Sequence, residues 1–245
     1  VNRVWQHHFG TGLVTTPDDF GVRSEPPSHP ELLDHLALWF MAHEWSVKEL
    51  HRYVLNSATW QQASTTTPEV ADKAALIDPG NRLLWRMTPA RLEFEPLRDS
   101  LLAVAGRLDA RTGGHGELLA DTNCRRAVYG FTDRYRIPSL LRNFDVANPD
   151  TSISKRYETL VPLQALFLMN SGFVQAQTAA VVQRTTTARD DDQRITFLFR
   201  AVLSRDPAAD ELAMARAHLA SQPAQVRWSS LVQALFLLNE FTFVD

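Results

Sequence analysis

The chain has 245 residues, which is enough for one large domain or two small ones with a sizeable core. Its 44% hydrophobic and 22% charged residues are typical of a globular protein, and a net charge of −3 gives no reason to expect nucleic acid or an anionic membrane as a partner. The single cysteine, Cys124, excludes an internal disulfide framework and a C-x-x-C-H haem attachment site. No apolar run reaches the ~18 residues that a membrane-spanning helix needs.

The chain begins with "VNRVWQHHFG", which has no initiator methionine and predicts a helix already under way. We therefore expect residues 1–245 to be the excised C-terminal part of a longer polypeptide, folded as a single helical domain. The next helix is predicted from Ser28 and Glu31, which form a capping-box pattern, with Pro30 in the first turn. Ser46 and Glu49 repeat the pattern, and Trp45 is placed to pack on Leu50 as a hydrophobic staple.

Further helices are predicted along the rest of the chain. Thr88 and Pro89 are typical of a helix start and Gly106 of its end, while Pro96 predicts a kink or a later start. Later starts are expected at Pro162, at Asp206–Pro207 and in the final "SSLVQALFLLNEF". The stretches "QALFLMN" (164–170) and "QALFLLN" (233–239) match at six of seven positions, which suggests two equivalent buried helices lying side by side.

Strand patterns are scarce, and "RRAVYGF" is the best candidate for one. The region from about 107 to 160 is expected to be a long, irregular connection, of the kind that is usually functional or disordered. The fold class predicted is therefore all-α, with long irregular connections and at most one short strand pair.

Six of the eight histidines lie in the first 51 residues, but none forms an H-x-x-x-H pair. His43 and His51 fall on the apolar faces of their predicted helices, where histidine is more often a core group than a ligand. Asp18, Asp19 and His29 leave two interpretations open: a small metal or acid–base site, or a turn capped by one of the aspartates. We predict no metal site.

The charged candidates lie in two places. Arg91, Glu95 and Arg98 stand at i, i+4 and i+7, so they share one edge of a helix, as an ion-pair network or as a grip for an anionic or sugar ligand. The segment 123–159 interleaves arginines with aromatic residues, which suits carboxylates or sugars, or a loop pinned by salt bridges. The candidate ligand-binding residues are Arg91, Glu95, Arg98, Arg125, Arg126, Tyr129, Arg134, Asp145 and Arg156.

Motifs for catalysis are missing. There is no G-x-S-x-G, P-loop or dinucleotide fingerprint, so no catalytic residue is predicted. Cys124 precedes two arginines, but the sequence places no histidine beside it, so it is a weak candidate for a nucleophile.

Several phrases together resemble a known family: "NRVWQHHFGTGLVTTPDDFG", "WSVKELHRYVLNSATW", "DPGNRLLWRM", "RLEFEPLRDSLLAVAGRLD", "RRAVYGF", "PLQALFLMN" and "NEFTFVD". They resemble, in order and over nearly the whole chain, the C-terminal domain of unknown function number 1553, found in large secreted proteins of planctomycetes. The resemblance favours polar residues at Asp18, Asp19, Arg82, Arg91, Glu95, Arg98, Asp99, Arg125, Arg126, Asp145, Arg156, Thr159 and Gln164. Pro96 departs from the family pattern.

The resemblance implies upstream domains of the same polypeptide as partners, among them a cytochrome-c-like haem domain, and an extracytoplasmic location. It implies no cofactor within this chain and supplies no catalytic residues. Two hypotheses follow. The chain is a module that binds or processes an extracellular substrate, a carbohydrate or small anion, or it is a structural module that docks an upstream domain without catalysis.

Overall fold

Helices dominate the computed structural model, which describes residues 1–244 and contains 12 α-helices and two short strands in that range. The mainly helical prediction is confirmed. Contacts group these residues into two compact units, Val1–Ala90 and Arg91–Val244, each with its own hydrophobic core. The prediction of one single domain stays a prediction, because two compact units can belong to one cooperatively folding domain.

The first unit contains four helices, α1 (Asn2–Phe9), α2 (Pro30–Ala42), α3 (Val47–Leu55) and α4 (Pro68–Ile77). Its core is built from apolar side chains of α1, α2, α3 and the flanking loops: Trp5, Phe9, Leu13, Leu36, Leu50, Val54 and Met87. The loop after α1 is fixed by the buried side chain of Asn2, which accepts from the Val14 N–H at 2.9 Å and donates to the Val14 carbonyl at 3.1 Å.

Two capping boxes were predicted. Only the Ser46 half of the second one is present among the described hydrogen bonds. Ser46 caps α3 by accepting from the Glu49 N–H at 3.3 Å, as predicted. Ser28 does not cap α2, whose N-cap is His29. The Ser28 N–H donates to the Leu13 carbonyl and its hydroxyl lies 3.0 Å from Nδ1 of His29, so neither group is available to Glu31.

The second unit begins within β1 (Ala90–Arg91) and contains α5 (Phe94–Val104), α6 (Ser139–Asn143), α7 (Pro162–Asn170), α8 (Gly172–Arg184), α9 (Asp191–Leu203), α10 (Ala209–Ser221), α11 (Arg227–Phe236), α12 (Asn239–Thr242) and β2 (Phe243–Val244). The two strands pair with each other. The interior is formed by α5 and α8–α11, whose most deeply buried side chains are Leu101, Leu102, Val174, Val181, Ile195, Leu198, Val232 and Phe236. No single helix in residues 1–244 is long and apolar enough to span a membrane, although α7 and α8, bent by 49°, reach the required length and composition as a pair.

Several predicted boundaries in this unit shift. α5 begins at Phe94 with Glu93 as its N-cap, so Pro96 lies in the first turn, which confirms the predicted late start and removes Thr88 as the cap. The strand predicted for "RRAVYGF" is wrong: residues Ala127–Tyr129 form a 3₁₀ turn. α10 begins at Ala209 rather than at Asp206, whose carboxylate pairs with Arg200.

Candidate functional site

All nine predicted site residues lie in the second unit, but the structure divides them. Four of them form what we call the Arg125 cluster with Asp99, Glu117 and Asn123; it is centred on α5 and the loop 109–130. Arg91, Glu95, Asp145 and Arg156 form the Arg156 cluster with Glu93, Thr159 and Gln164, where the segment 144–160 meets the start of α5. The four predicted residues in the Arg125 cluster are Arg98, Arg125, Arg126 and Tyr129. Arg134 lies apart from both clusters.

Arg98 is the most deeply buried of these groups, with a side chain that is 3% exposed. It projects from α5, donates to the backbone carbonyls of Asn123 and Arg125 (2.9 Å for the latter), and lies over the ring of Phe173. Burial lowers the pKa of Arg98, against the charge of the neighbouring Asp99 that raises it, but a guanidinium stays protonated at any relevant pH. Its donors therefore hold the loop against α5.

Arg125 organises the loop from within. Its guanidinium donates to the carbonyls of Gly113 (2.5 Å) and His115 (3.1 Å) and to the carboxylate of Glu117 (3.0 Å). It also lies 4.4 Å from the ring centroid of Tyr129. The tyrosine hydroxyl in turn accepts from the Gly113 N–H at 2.9 Å. Arg125 and Tyr129 are thus occupied by contacts within the chain. Nε of Arg125 is buried without a hydrogen-bond partner in the described part of the chain.

Arg126 points the other way. Its side chain is 53% exposed, and its closest anionic neighbour is Asp99, at 3.5 Å from Nε. Asp99 is held in place by the N–H of Ala127, which donates to it at 2.7 Å. Arg126 lies in an open cleft of about 400 Å³, with Asp99, Ser100 and Glu95 on the polar side and Pro96, Ala103, Leu108 and Val128 on the apolar side.

The Arg156 cluster is an ion-pair network. Arg156 makes a bidentate pair with Glu95 (2.9 Å for both bonds) and a further contact of 2.8 Å with Glu93. Burial by itself would raise the pKa of Glu95, but the hydrogen bond and charge of Arg156 and a backbone hydrogen bond together lower it. The same hydrogen bond, which Arg156 donates to Glu95, raises the pKa of Arg156. This geometry ties the segment 144–160 to the first turn of α5.

The remaining groups of this cluster are joined to the same segment. Arg91 donates to the side chain of buried Gln164, whose amide donates to the Asn143 carbonyl at 2.8 Å. Burial lowers the pKa of Arg91, against the raising effect of the Asp145 charge. Asp145 accepts from the N–H and the hydroxyl of Thr159 at 2.8 and 2.7 Å. The space enclosed here has a volume of about 40 Å³, which holds a few water molecules but not a sugar ring.

Arg134 is exposed, pairs with Asp150 at 3.2 Å and lies over Tyr135, so the structure does not bring it to the other predicted residues.

The loop of the first unit that contains Asp18 and Asp19 forms a turn, as the interpretation of a capped turn expects: Asp19 accepts from the Gly21 N–H at 2.8 Å. His29 instead faces Ser28. Among residues 1–244, no three His, Cys, Asp or Glu side chains come together as a metal site requires.

Sequence reasoning missed several partners in both clusters. Glu93 and Glu117 supply carboxylates, Asn123 supplies a backbone acceptor, and Asp99 and Gln164, marked only by the family resemblance, bridge backbone and side chains. The periodicity of apolar residues along the sequence cannot identify acceptors that lie in loops.

Cys124 is partly buried beside a shallow cleft of about 430 Å³, and its thiol faces the Thr122 carbonyl.

A family model described as "PSD1: Protein of unknown function (DUF1553)" matches residues 1–219. The chain belongs to the PSD1 family. This confirms the resemblance noted from the sequence. No curated protein and no solved structure shows significant similarity to it. The PSD1 match includes both arginine clusters and ends within α10, so α11 and α12 lie beyond it.

Proposed function

We propose that this PSD1 chain is a structural and interaction module that docks other domains of its polypeptide and has no catalytic chemistry of its own. One observation carries the proposal: the guanidinium donors of Arg98, Arg125 and Arg156 are directed at acceptors of the chain itself. A binding site for a sugar or an anion would leave such donors facing an open cleft.

The Arg125 cluster and the Arg156 cluster both hold the same long region of the chain in place. Together they attach the long region 107–160, which has little regular structure, to α5 and to the loop that precedes it. A long loop fixed in this way keeps a defined surface without a core of its own. The ion pairs therefore act as internal ties.

A surface suited to a partner domain lies on the first unit. Leu38 and Met41 lie three residues apart near the end of α2, Trp45 lies in the turn that follows, and Val47 starts α3; all four are exposed. Glu44 and Trp45 both adopt the left-handed conformation, with φ of 55° and 59°, which is costly for side chains other than glycine. A strained turn that displays a tryptophan is typical of a recognition surface, where tryptophan often dominates the binding energy.

An extracytoplasmic location, a haem-carrying neighbour domain and membership in large secreted proteins belong to the same proposal. They rest on the family resemblance alone.

A thermal-shift comparison tests the proposal. The chain is melted with neutral sugars, uronates, sulfated sugars and divalent cations, alongside Arg156→Met and Arg126→Ala. We expect no ligand to raise the melting temperature, a stability loss of about 2 kcal/mol in Arg156→Met, and almost none in Arg126→Ala.

The docking part of the proposal has its own test. Hydrogen exchange of residues 38–47 is compared between the isolated chain and the full natural polypeptide, with and without Trp45→Ala. Protection gained only in the polypeptide, and lost in the variant, is the expected result. Equal exchange in both would contradict docking at this surface.

The exposed Arg126 supports a second candidate, in which this PSD1 chain binds a carbohydrate or small anion. The Arg126 cleft has a volume within the range of ligand pockets and combines a cation, carboxylates and apolar side chains. A ligand at 100 times its Kd would stabilise the chain by about 2.7 kcal/mol. A shift that disappears in Arg126→Ala, while the unliganded melting temperature stays unchanged, would favour this function over the structural one.

A further inference from the structure

Helix α7 is rich in apolar residues, and some of them lie on the side that faces solvent. Leu163, Leu166 and Met169, which we call the α7 strip, are 52%, 45% and 46% exposed. They follow one another at intervals of three residues and so lie along one side of the helix. The open side is therefore a surface that lacks a cover.

The internal repeat shows how the same sequence behaves when it is covered. In α11, Leu235 and Phe236 of "QALFLLN" are 3% and 0% exposed, whereas Leu166, the equivalent of Leu235, is 45% exposed. The two copies bury different positions, because Leu168 is buried in α7 while its equivalent Leu237 is exposed. The two copies lie beside each other, because the Gln233 side chain donates to the carbonyls of Leu168 and Met169. The two copies of this motif are therefore neighbours within one chain.

Charge decides which occupant fits the open side. Between Glu158 and Arg184 the chain has no charged residue. The segment that carries the α7 strip therefore brings no like charge to a second copy, and it offers no charge to a partner that depends on complementary charge. Exposed Ala165, next to the leucines, leaves room for a side chain of the facing helix.

We propose that two copies of this chain associate through their α7 strips across a twofold axis. In such an isologous contact each strip faces itself, and Leu166, at the centre, lies nearest the axis. The proposal stands apart from the proposed function, which uses other side chains.

The size of the surface sets the expected strength. The α7 strip consists of three partly exposed side chains on one short helix, a small apolar surface. A standard stable interface buries about 800 Å² on each partner. We therefore expect a weak dimer with a dissociation constant of roughly 10–1000 µM.

Sedimentation velocity over about 5–500 µM chain measures this association by mass action. Leu166→Glu places a charge at the axis, and Leu118→Glu is the matched control, since Leu118 is also exposed but lies in the 107–130 loop. We expect concentration-dependent dimers for the native chain and the control, and monomers throughout for Leu166→Glu. Equal melting temperatures of the variants confirm that each is folded.

A crosslink locates the contact. In a Cys124→Ser background, Leu166→Cys is expected to form a covalent dimer on mild oxidation, and Leu118→Cys is not. A native chain that remains monomeric over the whole range, or dimers that persist in Leu166→Glu, would overturn the proposal. The proposal would also be overturned if the native chain is monomeric and binds phosphatidylcholine vesicles, and if Leu166→Glu abolishes that binding. The α7 strip would then face lipid.

Discussion

The arginines of the second unit differ mainly in what their guanidinium groups face. Arg98 faces backbone carbonyls in a buried setting, Arg156 faces two carboxylates, and Arg134 faces one carboxylate in solvent. Hydrogen bonds to buried carbonyls are costly to remove, because the carbonyls lose their donors and cannot reach water. Exposed pairs contribute little. An arginine at a buried position therefore contributes much more to the stability of the fold than an arginine at an exposed position.

Arg98→Met tests this difference. The substitution keeps much of the apolar stem but leaves the carbonyls of Asn123 and Arg125 without a donor. We expect the free energy of unfolding to fall by about 3 kcal/mol, measured by urea denaturation. Arg134→Met is the control, and it is expected to change stability by less than about 0.5 kcal/mol. Equal effects of the two variants would mean that Arg98 does not hold the loop.

At the scale of elements, helix ends were predictable where the signal is local. Ser46 caps α3 and Pro162 begins α7, because an N-cap hydroxyl and a first-turn proline act within a few residues of themselves. Ser28 failed because its N–H is taken by Leu13, fifteen positions earlier. The 3₁₀ turn at Ala127–Tyr129 likewise depends on Asp99, which accepts from its first N–H. Non-local partners are invisible to a local pattern.

The same limit applies to the candidate site. The charged and aromatic residues were identified by type, but the sequence could not say that Arg125 turns inward while its neighbour Arg126 turns outward. Which of two adjacent arginines is buried depends on how the loop 109–130 closes around Tyr129 and Glu117. That closure is a property of tertiary structure.

Helices α1 and α3 are joined by a histidine pair that should make the first unit sensitive to acid. Nε2 of His8 lies 2.7 Å from Nδ1 of His51, and the His8 ring packs edge-on against Trp60. Burial lowers the pKa of His8, as do the charges of His51 and His7. The unfolded chain therefore takes up a proton first, at about pH 6.5, and stability falls from there down to the folded pKa.

The measurement is the melting temperature of the chain between about pH 5 and pH 8. The native chain should lose stability below about pH 6.5, and His8→Gln should lose less, because the buried imidazole is gone. His7→Gln replaces an exposed neighbour and should keep most of the slope. An unchanged slope in His8→Gln would show that this pair does not cause the acid sensitivity.

Residues 1–244 form two cores, and the second does not end where the PSD1 match ends. Residue 219 lies in α10, while α11 beyond it contributes Leu231, Val232, Leu235 and Phe236 to the interior. α11 packs with α8, α9 and α10, and Val232 and Phe236 are fully buried. Removing it would expose large apolar surfaces on three helices at once.

We therefore expect a chain cut after residue 219 to lose the fold of its second unit. Losing four buried side chains of this size removes roughly 6–12 kcal/mol of burial, which equals or exceeds the net stability of a typical domain. Circular dichroism should show helix content well below that of the full chain, and proteolysis should cleave first within residues 91–219. Removal of residues 239–245 instead takes away the short α12 and β2 and should leave most of the helix content in place. A cut chain that keeps a cooperative melting transition in its second unit would show that α11 is an addition to a core that is complete without it.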